Sequence, residues 1–92
     1  MEPVEIPIED FIDLHTFRPE EVPDLLSEYF SECQKNGIFT VRIIHGKGRG
    51  ILKKGVMEIL QKSPFVESFK DAPMEAGGWG ATIVELKKEE KD

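Results

Sequence analysis

The chain is poor in the residues that cross-link a small fold or bind metal through sulfur. It has a single cysteine, Cys33, so neither an internal disulfide framework nor a multi-cysteine metal site can form. No apolar run approaches the roughly 18–20 residues that a membrane-spanning helix needs. The first ten residues, MEPVEIPIED, contain no lysine or arginine and so lack the positive start of a secretory signal peptide. A cytoplasmic protein with no membrane partner is the default expectation. Bases are also scarce: 12 Lys and Arg face 18 Asp and Glu, a net charge of −6. Taken alone, that balance argues against a partner as anionic as nucleic acid or an acidic membrane.

What is present points to an ordinary folded protein. Apolar residues make up 39% and charged residues 33% of 92 residues, a composition of the globular rather than the disordered class. A chain this short forms one domain, with two packed layers of secondary structure as its natural solution. The net charge conceals an asymmetry. Residues 1–36 hold ten acids and two bases, and residues 65–92 hold seven acids and four bases. Between them, residues 37–64 hold six bases (Arg42, Lys47, Arg49, Lys53, Lys54 and Lys62) against the single acid Glu58. An acidic protein with one basic segment has a different range of partners from a uniformly acidic one. No internal repeat is present. Residues 1–9 read as an arm or edge segment, 10–86 as the domain, and 87–92 as a charged tail. Met1 and that tail favour a natural short chain.

The pattern of apolar residues predicts the order β-α-β-α-β-β. One strand falls near residues 11–14, in the later part of the first segment, because Pro3 and Pro7 suit only an edge or extended arm. Val22, Leu25, Leu26, Tyr29, Phe30 and Cys33 form one helical stripe, with Cys33 as a buried, inert thiol. Pro19 suits a first helical position and Gly37 a helix end. Pro23 lacks an N–H, so either the first turn is distorted or the helix starts later. Ile38–Ile44 reads as a buried strand. A second helix is expected over Ile51–Lys62 with Leu52, Val56, Ile59 and Leu60 on one face, stopped by Ser63-Pro64. Phe65, Val66 and Phe69 suggest a third strand, and Ala81–Leu86 a last one. Alternating strands and helices imply parallel pairing with right-handed crossovers, and the short final connection implies an antiparallel strand. The expectation is an α/β (α+β) two-layer sandwich: a mixed four-stranded sheet with two helices.

Three segments carry candidate chemistry. His45-Gly46-Lys47-Gly48-Arg49-Gly50 lies between a buried strand and a helix. Glycines leave backbone N–H groups uncovered, the following helix adds its own free N–H groups, and Lys47, Arg49, Lys53 and Lys54 add full charges. That is how a chain builds a phosphate cradle; the plainer reading is a tight turn bearing solvated lysines. The spacing fits neither a Walker loop nor the dinucleotide fingerprint. In the second segment, Asp13 and His15 share one face of a strand. At the end of that strand they would meet His45 at one sheet edge, where a carboxylate can orient an imidazole and two imidazoles can act as base and acid. A histidine that merely closes a strand is the alternative. The third segment, Gly77-Gly78-Trp79-Gly80, reads equally as a flexible loop or as a surface where backbone approaches closely and Trp79 stacks on a base.

In this order the three segments resemble the small MutS-related, or Smr, domain. That family's pattern runs Leu-Asp-Leu-His-Gly, then His-Gly-x-Gly-x-Gly-x-Leu-Arg, then Gly-Gly-x-Gly-x-Thr. The matching residues here are Asp13-Leu14-His15-Thr16, the run from His45 to Lys53, and Gly77-Gly78-Trp79-Gly80-Ala81-Thr82. The resemblance implies a βαβαββ fold similar to the C-terminal domain of translation initiation factor three. It also implies a stand-alone nucleic-acid-binding module acting as an endonuclease, by DNA nicking or RNA cleavage, in DNA repair and recombination or in RNA quality control. Repair proteins or the ribosome are the partners it suggests. Carried over by position, Asp13, His15, His45 and Lys53 are the catalytic set. Gly46, Lys47, Gly48, Arg49, Gly50 and Lys54, with Gly77, Gly78, Trp79 and Gly80, would hold the nucleic acid. No cofactor follows with certainty; a divalent metal such as magnesium held by Asp13 would serve a DNA-cleaving route. Two positions depart from the pattern. Thr16 replaces a glycine and restricts backbone approach, and Lys53 replaces an arginine and lacks its bidentate fork. Both bear on catalysis more than on binding, which leaves a non-catalytic nucleic-acid or ribosome docking module as the alternative. A small-anion or nucleotide binder is a third reading.

Overall fold

In a computed structural model, residues 8–46 and 50–88 are described. They form β1 (Phe11–Asp13), α1 (Val22–Lys35), β2 (Thr40–Ile44), α2 (Ile51–Lys62), β3 (Val66–Asp71) and β4 (Ala81–Leu86). The expected order, the mixed four-stranded sheet and the two helices are all observed. The sheet runs β1-β2-β4-β3. β1 pairs parallel with β2, while β4 is antiparallel to both β2 and β3. Both crossovers advance the same way across the sheet, so right-handed connections put α1 and α2 on one face and leave the other face without a helix.

Proline shapes the start of α1. Pro19–Glu21 makes a 3-10 turn and the α-helix begins at Val22, with Pro23 in its first turn. Pro23 there has no i−4 carbonyl to bond, so its missing N–H costs little. The backbone N–H of Arg18 donates to the Glu21 carboxylate at 2.9 Å, which closes the turn. At the other end Gly37 takes φ +74°. The N–H of Ile38 then donates to the Cys33 carbonyl at 2.8 Å and that of Gly37 to Gln34 at 3.2 Å, the paired bonds of a Schellman stop. β2 starts two residues later than Ile38: the Ile38 N–H is still bonded back to the helix, while the Phe39 carbonyl already accepts from Leu86 of β4 at 2.7 Å.

Side-chain alternation sorts the sheet into two faces. Val41, Ile43, Val84 and Leu86 are buried beneath the helices. From α1 they meet Val22, Leu26, Phe30 and Cys33, and from α2 Val56 and Leu60, all in one core cluster with Leu14. Burial pushes the Cys33 thiol and the half-buried Tyr29 hydroxyl up from their ordinary values, so Cys33 is the inert thiol the sequence suggested. Phe11, Arg42, Ile44 and Ile83 occupy the uncovered face, since the register pairs Phe11 with Arg42 and Arg42 with Ile83. Among the described residues, no helix is long and apolar enough to cross a membrane.

Candidate functional site

β1, β2 and β3 run parallel, so their C-terminal ends share one edge of the sheet with the start of β4. Asp13 ends β1, His45 follows β2, Asp71 ends β3, and Ala81 and Thr82 open β4. The glycine-rich segment and the first turn of α2 leave from the same edge. Open α/β sheets bind ligands at the carboxyl ends of their strands.

Asp13 and His15 form the tightest polar contact here. The Asp13 Oδ1 accepts the backbone N–H of His15 at 3.0 Å and lies 2.6 Å from His15 Nδ1. These two hydrogen bonds, the backbone one first, hold the Asp13 carboxyl below its ordinary range. An ionised carboxylate can only accept, so Nδ1 is the nitrogen that carries hydrogen. In the neutral ring Nε2 then holds the lone pair. The His15 side chain is 70% exposed, so that lone pair is presented to solvent on an imidazole whose tautomer Asp13 sets.

His45 is placed differently. It is only 6% exposed, on the same side of β2 as Val41 and Ile43. Its Nε2 lies 2.8 Å from the hydroxyl of fully buried Thr82, and its Nδ1 lies 3.1 Å from the Gly46 carbonyl. A carbonyl only accepts, so Nδ1 donates to it, and in the neutral ring Nε2 accepts from Thr82. Both nitrogens are engaged within the protein. The meeting of Asp13, His15 and His45 expected from the sequence is therefore divided. The edge brings all three together, but among the described residues no hydrogen bond joins His45 to either of the others.

Glycine geometry continues the seam that His45 begins. Gly46 takes φ +79°, and the N–H groups of His45 and Gly46 both donate to the Gly80 carbonyl, at 3.1 and 2.8 Å. The two glycine segments singled out in the sequence are thus bonded to each other. Gly77 takes φ +114°, and a Cβ there would stand 3.1 Å from that of Ala81, so this position admits no side chain without a shift. Gly78 and Gly80 are buried in that turn, and Trp79 contributes its backbone to it. Lys47, Gly48 and Arg49 lie outside the described residues.

Gly50 caps α2 in the left-handed region and, as a glycine, has no side chain to bond the first-turn N–H groups. Those N–H groups are oriented outward, at the positive end of the helix dipole. Lys53, in that first turn, pairs with Asp71 at 3.0 Å, where the lysine side chain is 23% and the aspartate 59% exposed. Lys54 is exposed. Two participants had escaped the sequence reading. Thr82 stood in the third motif, and only its place opposite His45 reveals its part. Asp71 had no signal at all, because its pairing with Lys53 joins a strand end to a helix start. Among the described residues no group of three or more His, Cys, Asp or Glu side chains is arranged to hold a metal.

The chain matches known proteins along nearly its full length. The family model described as the Smr domain matches residues 12–87. Over 75 residues the chain is 47% identical to the endonuclease MutS2 of Helicobacter pylori, covering 82% of this chain and 10% of that protein. Over 76 residues it is 41% identical to the endonuclease MutS2 of Halalkalibacterium halodurans, covering 83% and 10%. The chain thus spans about a tenth of the length of these curated relatives. Its fold is similar to the crystal structure of the Smr domain of Thermus thermophilus MutS2, with a TM-score of 0.80 and 35% identity, covering 86% of this chain and 99% of that one. It is similar also to that of YdaL, a stand-alone small MutS-related protein from Escherichia coli, with a TM-score of 0.80 and 28% identity, covering 89% and 67%.

Proposed function

Because the chain belongs to the Smr domain family, we propose that its carboxyl sheet edge binds nucleic acid and cleaves phosphodiester bonds as an endonuclease. The observation that carries this reading is the Asp13–His15 pair at 2.6 Å, an oriented imidazole on the edge from which the α2 N-terminus also leaves. A phosphate seated on the first-turn N–H groups of α2 gains from both hydrogen bonds and dipole. Lys53 adds a full charge toward the same end.

The reaction needs a base and a stabiliser of developing negative charge. His15 Nε2 takes the proton, from a 2′-hydroxyl on RNA or from water on DNA. Asp13 holds the ring in the tautomer that allows this and offsets the imidazolium charge as it forms, the role a buried carboxylate plays toward histidine in hydrolytic triads. The α2 N–H groups and Lys53 stabilise the pentacoordinate phosphorane. Atoms balance without a cofactor on RNA: the 2′-oxygen bonds to phosphorus, the 5′-oxygen leaves, and a proton returns to it. On DNA a divalent ion would have Asp13 as its protein ligand and complete its shell with phosphate and water, a mode that suits magnesium. His45 acts on this reading through position, by fixing Gly46 against β4.

Purified protein incubated with structured RNA and with supercoiled plasmid, with and without EDTA, tests this reading beside a His15→Ala control. Cleavage lost in the variant supports it; equal cleavage by both proteins assigns the activity to a contaminant. A second reading is a docking module that binds without cutting. The Lys53–Asp71 pair favours it, because a lysine already neutralised is a weaker phosphorane stabiliser. Binding that survives in both proteins with no cleavage in either decides for the docking module.

A further inference from the structure

The sheet face without helices carries an arginine that the edge chemistry leaves unused. Arg42 sits at the centre of this face, on β2 between Phe11 of β1 and Ile83 of β4. Its guanidinium carbon lies 5.6 Å from the centroid of the Phe11 ring. Its Nε is buried and has no hydrogen-bond partner among the described residues. Among them, too, no carboxylate lies within ion-pairing distance of it. A buried N–H on a full positive charge without an acceptor is costly in a finished fold and is recovered when a ligand supplies the acceptor.

Arg42 also stands where two cavities meet. One, of about 450 Å³, is lined by Arg42 and Ile44 together with Gly46, Gly77, Gly80 and Glu75. The other, of about 220 Å³, is lined by Arg42, Thr40, Asp10 and Ile83. The larger cavity therefore runs from the glycine backbones of the candidate site to the arginine. Asp13, paired in register with Ile44, is two residues further along the sheet than Arg42 and one strand across, about 7 Å by about 5 Å.

We propose that Arg42 is a second phosphate subsite, holding a backbone phosphate of the same nucleic-acid strand whose reacting phosphate lies at the carboxyl edge. The inference rests on the nucleic-acid reading above. The strand crosses the edge over Gly46, Gly77 and Gly80, where the lack of side chains lets a backbone pass. Its next phosphate accepts from the guanidinium, whose planar fork suits a phosphate better than an ammonium does. Phe11 steadies the fork by stacking. Such a path suits a single strand, because a stiff duplex does not fold over a sheet edge. Glu75 lines the same cavity and opposes the ligand's charge.

Anisotropy titrations of labelled single-stranded RNA at several salt concentrations test the subsite. Arg42→Gln is expected to weaken binding about tenfold. It should also lower the slope of log affinity against log salt by about 0.7, the contribution of one phosphate on a single strand. Arg42→Lys keeps the slope, and Glu75→Gln tightens binding. Arg42→Met, which preserves the stem over Phe11, repeats the loss of slope should the glutamine variant fold poorly. Wild-type affinity and slope in Arg42→Gln and Arg42→Met, with Lys53→Gln weakened, overturn the subsite and leave the edge reading intact. Failure of the unaltered protein to bind any oligonucleotide overturns both.

Discussion

His45 and Thr82 are joined across the β2–β4 pairing by a 2.8 Å hydrogen bond between two buried side chains. Thr82→Val keeps the shape and deletes the hydroxyl, so His45 Nε2 is left buried without a partner. The expected cost is about 1–3 kcal/mol, which for a domain of this size lowers Tm by roughly 4–8 °C for each kcal/mol. Thermal unfolding checks it. His45→Ala is expected to lose stability and activity together, whereas His15→Ala, on an exposed side chain, loses activity at unchanged Tm.

The Asp13–His15 pair gives a second prediction. The Asp13 carboxyl is held below its ordinary value of 3.8 chiefly by the His15 backbone N–H and then by its ring. A depressed folded value means that this contribution to stability is present above 3.8 and is lost as pH falls through the folded value. Asp13→Asn should therefore flatten the acid limb of a stability–pH curve below about pH 4 and lower stability at neutral pH by that same contribution, with the two proteins converging in acid. Cleavage at neutral pH falls far more steeply, because an amide no longer fixes which ring nitrogen holds hydrogen; a drop of about 10²-fold or more is expected. A cleavage rate close to that of the unaltered protein contradicts the assigned role.

Asp71 competes with phosphate for Lys53. An exposed pair contributes about 0.2–1 kcal/mol, so Asp71→Asn is expected to tighten nucleic-acid binding severalfold at low salt. Lys53→Arg should raise the cleavage rate by restoring a bidentate fork. Loss of cleavage in Lys53→Arg would show that the ammonium itself is required.

Two glycines are expected to respond in opposite ways to alanine. Gly77 has φ +114° and would bring a Cβ to 3.1 Å from Ala81, so Gly77→Ala costs about 1–3 kcal/mol. Gly55 lies inside α2 with nothing within 4 Å of an added Cβ, so Gly55→Ala gains about 0.5–1 kcal/mol. Denaturant titration of both variants measures the two signs.

Much of this architecture could be read from residue patterns. α2 and β4 have the bounds expected from Ile51–Lys62 and Ala81–Leu86, because long apolar periodicity and flanking glycine or proline fix both. β2 falls short of Ile38 because the helix stop at Gly37 uses the Ile38 N–H, a competition that β-propensity does not register. Asp13 and His15 were legible as partners because they are near in sequence and their types suit each other. The part His45 plays was not. Its identity suggests a base, but burial is decided by strand parity, and parity depends on a register set by β1 and β4 together. Asp71 was invisible because its partner, Lys53, lies 18 positions away in sequence and only the fold brings that strand end to the start of the helix.

The position of β4 has a consequence for when the site can exist. It is the last described strand in the chain, yet it lies between β2 and β3, and β3 has no other neighbour in the sheet. During synthesis the ribosome therefore releases α1, α2 and β3 before the strand that joins them. Thr82, Gly80 and the cavity walls around Arg42 all arrive with it. The bonds of His45 to Thr82 and of His45 and Gly46 to Gly80 form only once residues 80–86 have emerged, so this part of the geometry assembles late, as β4 completes the sheet.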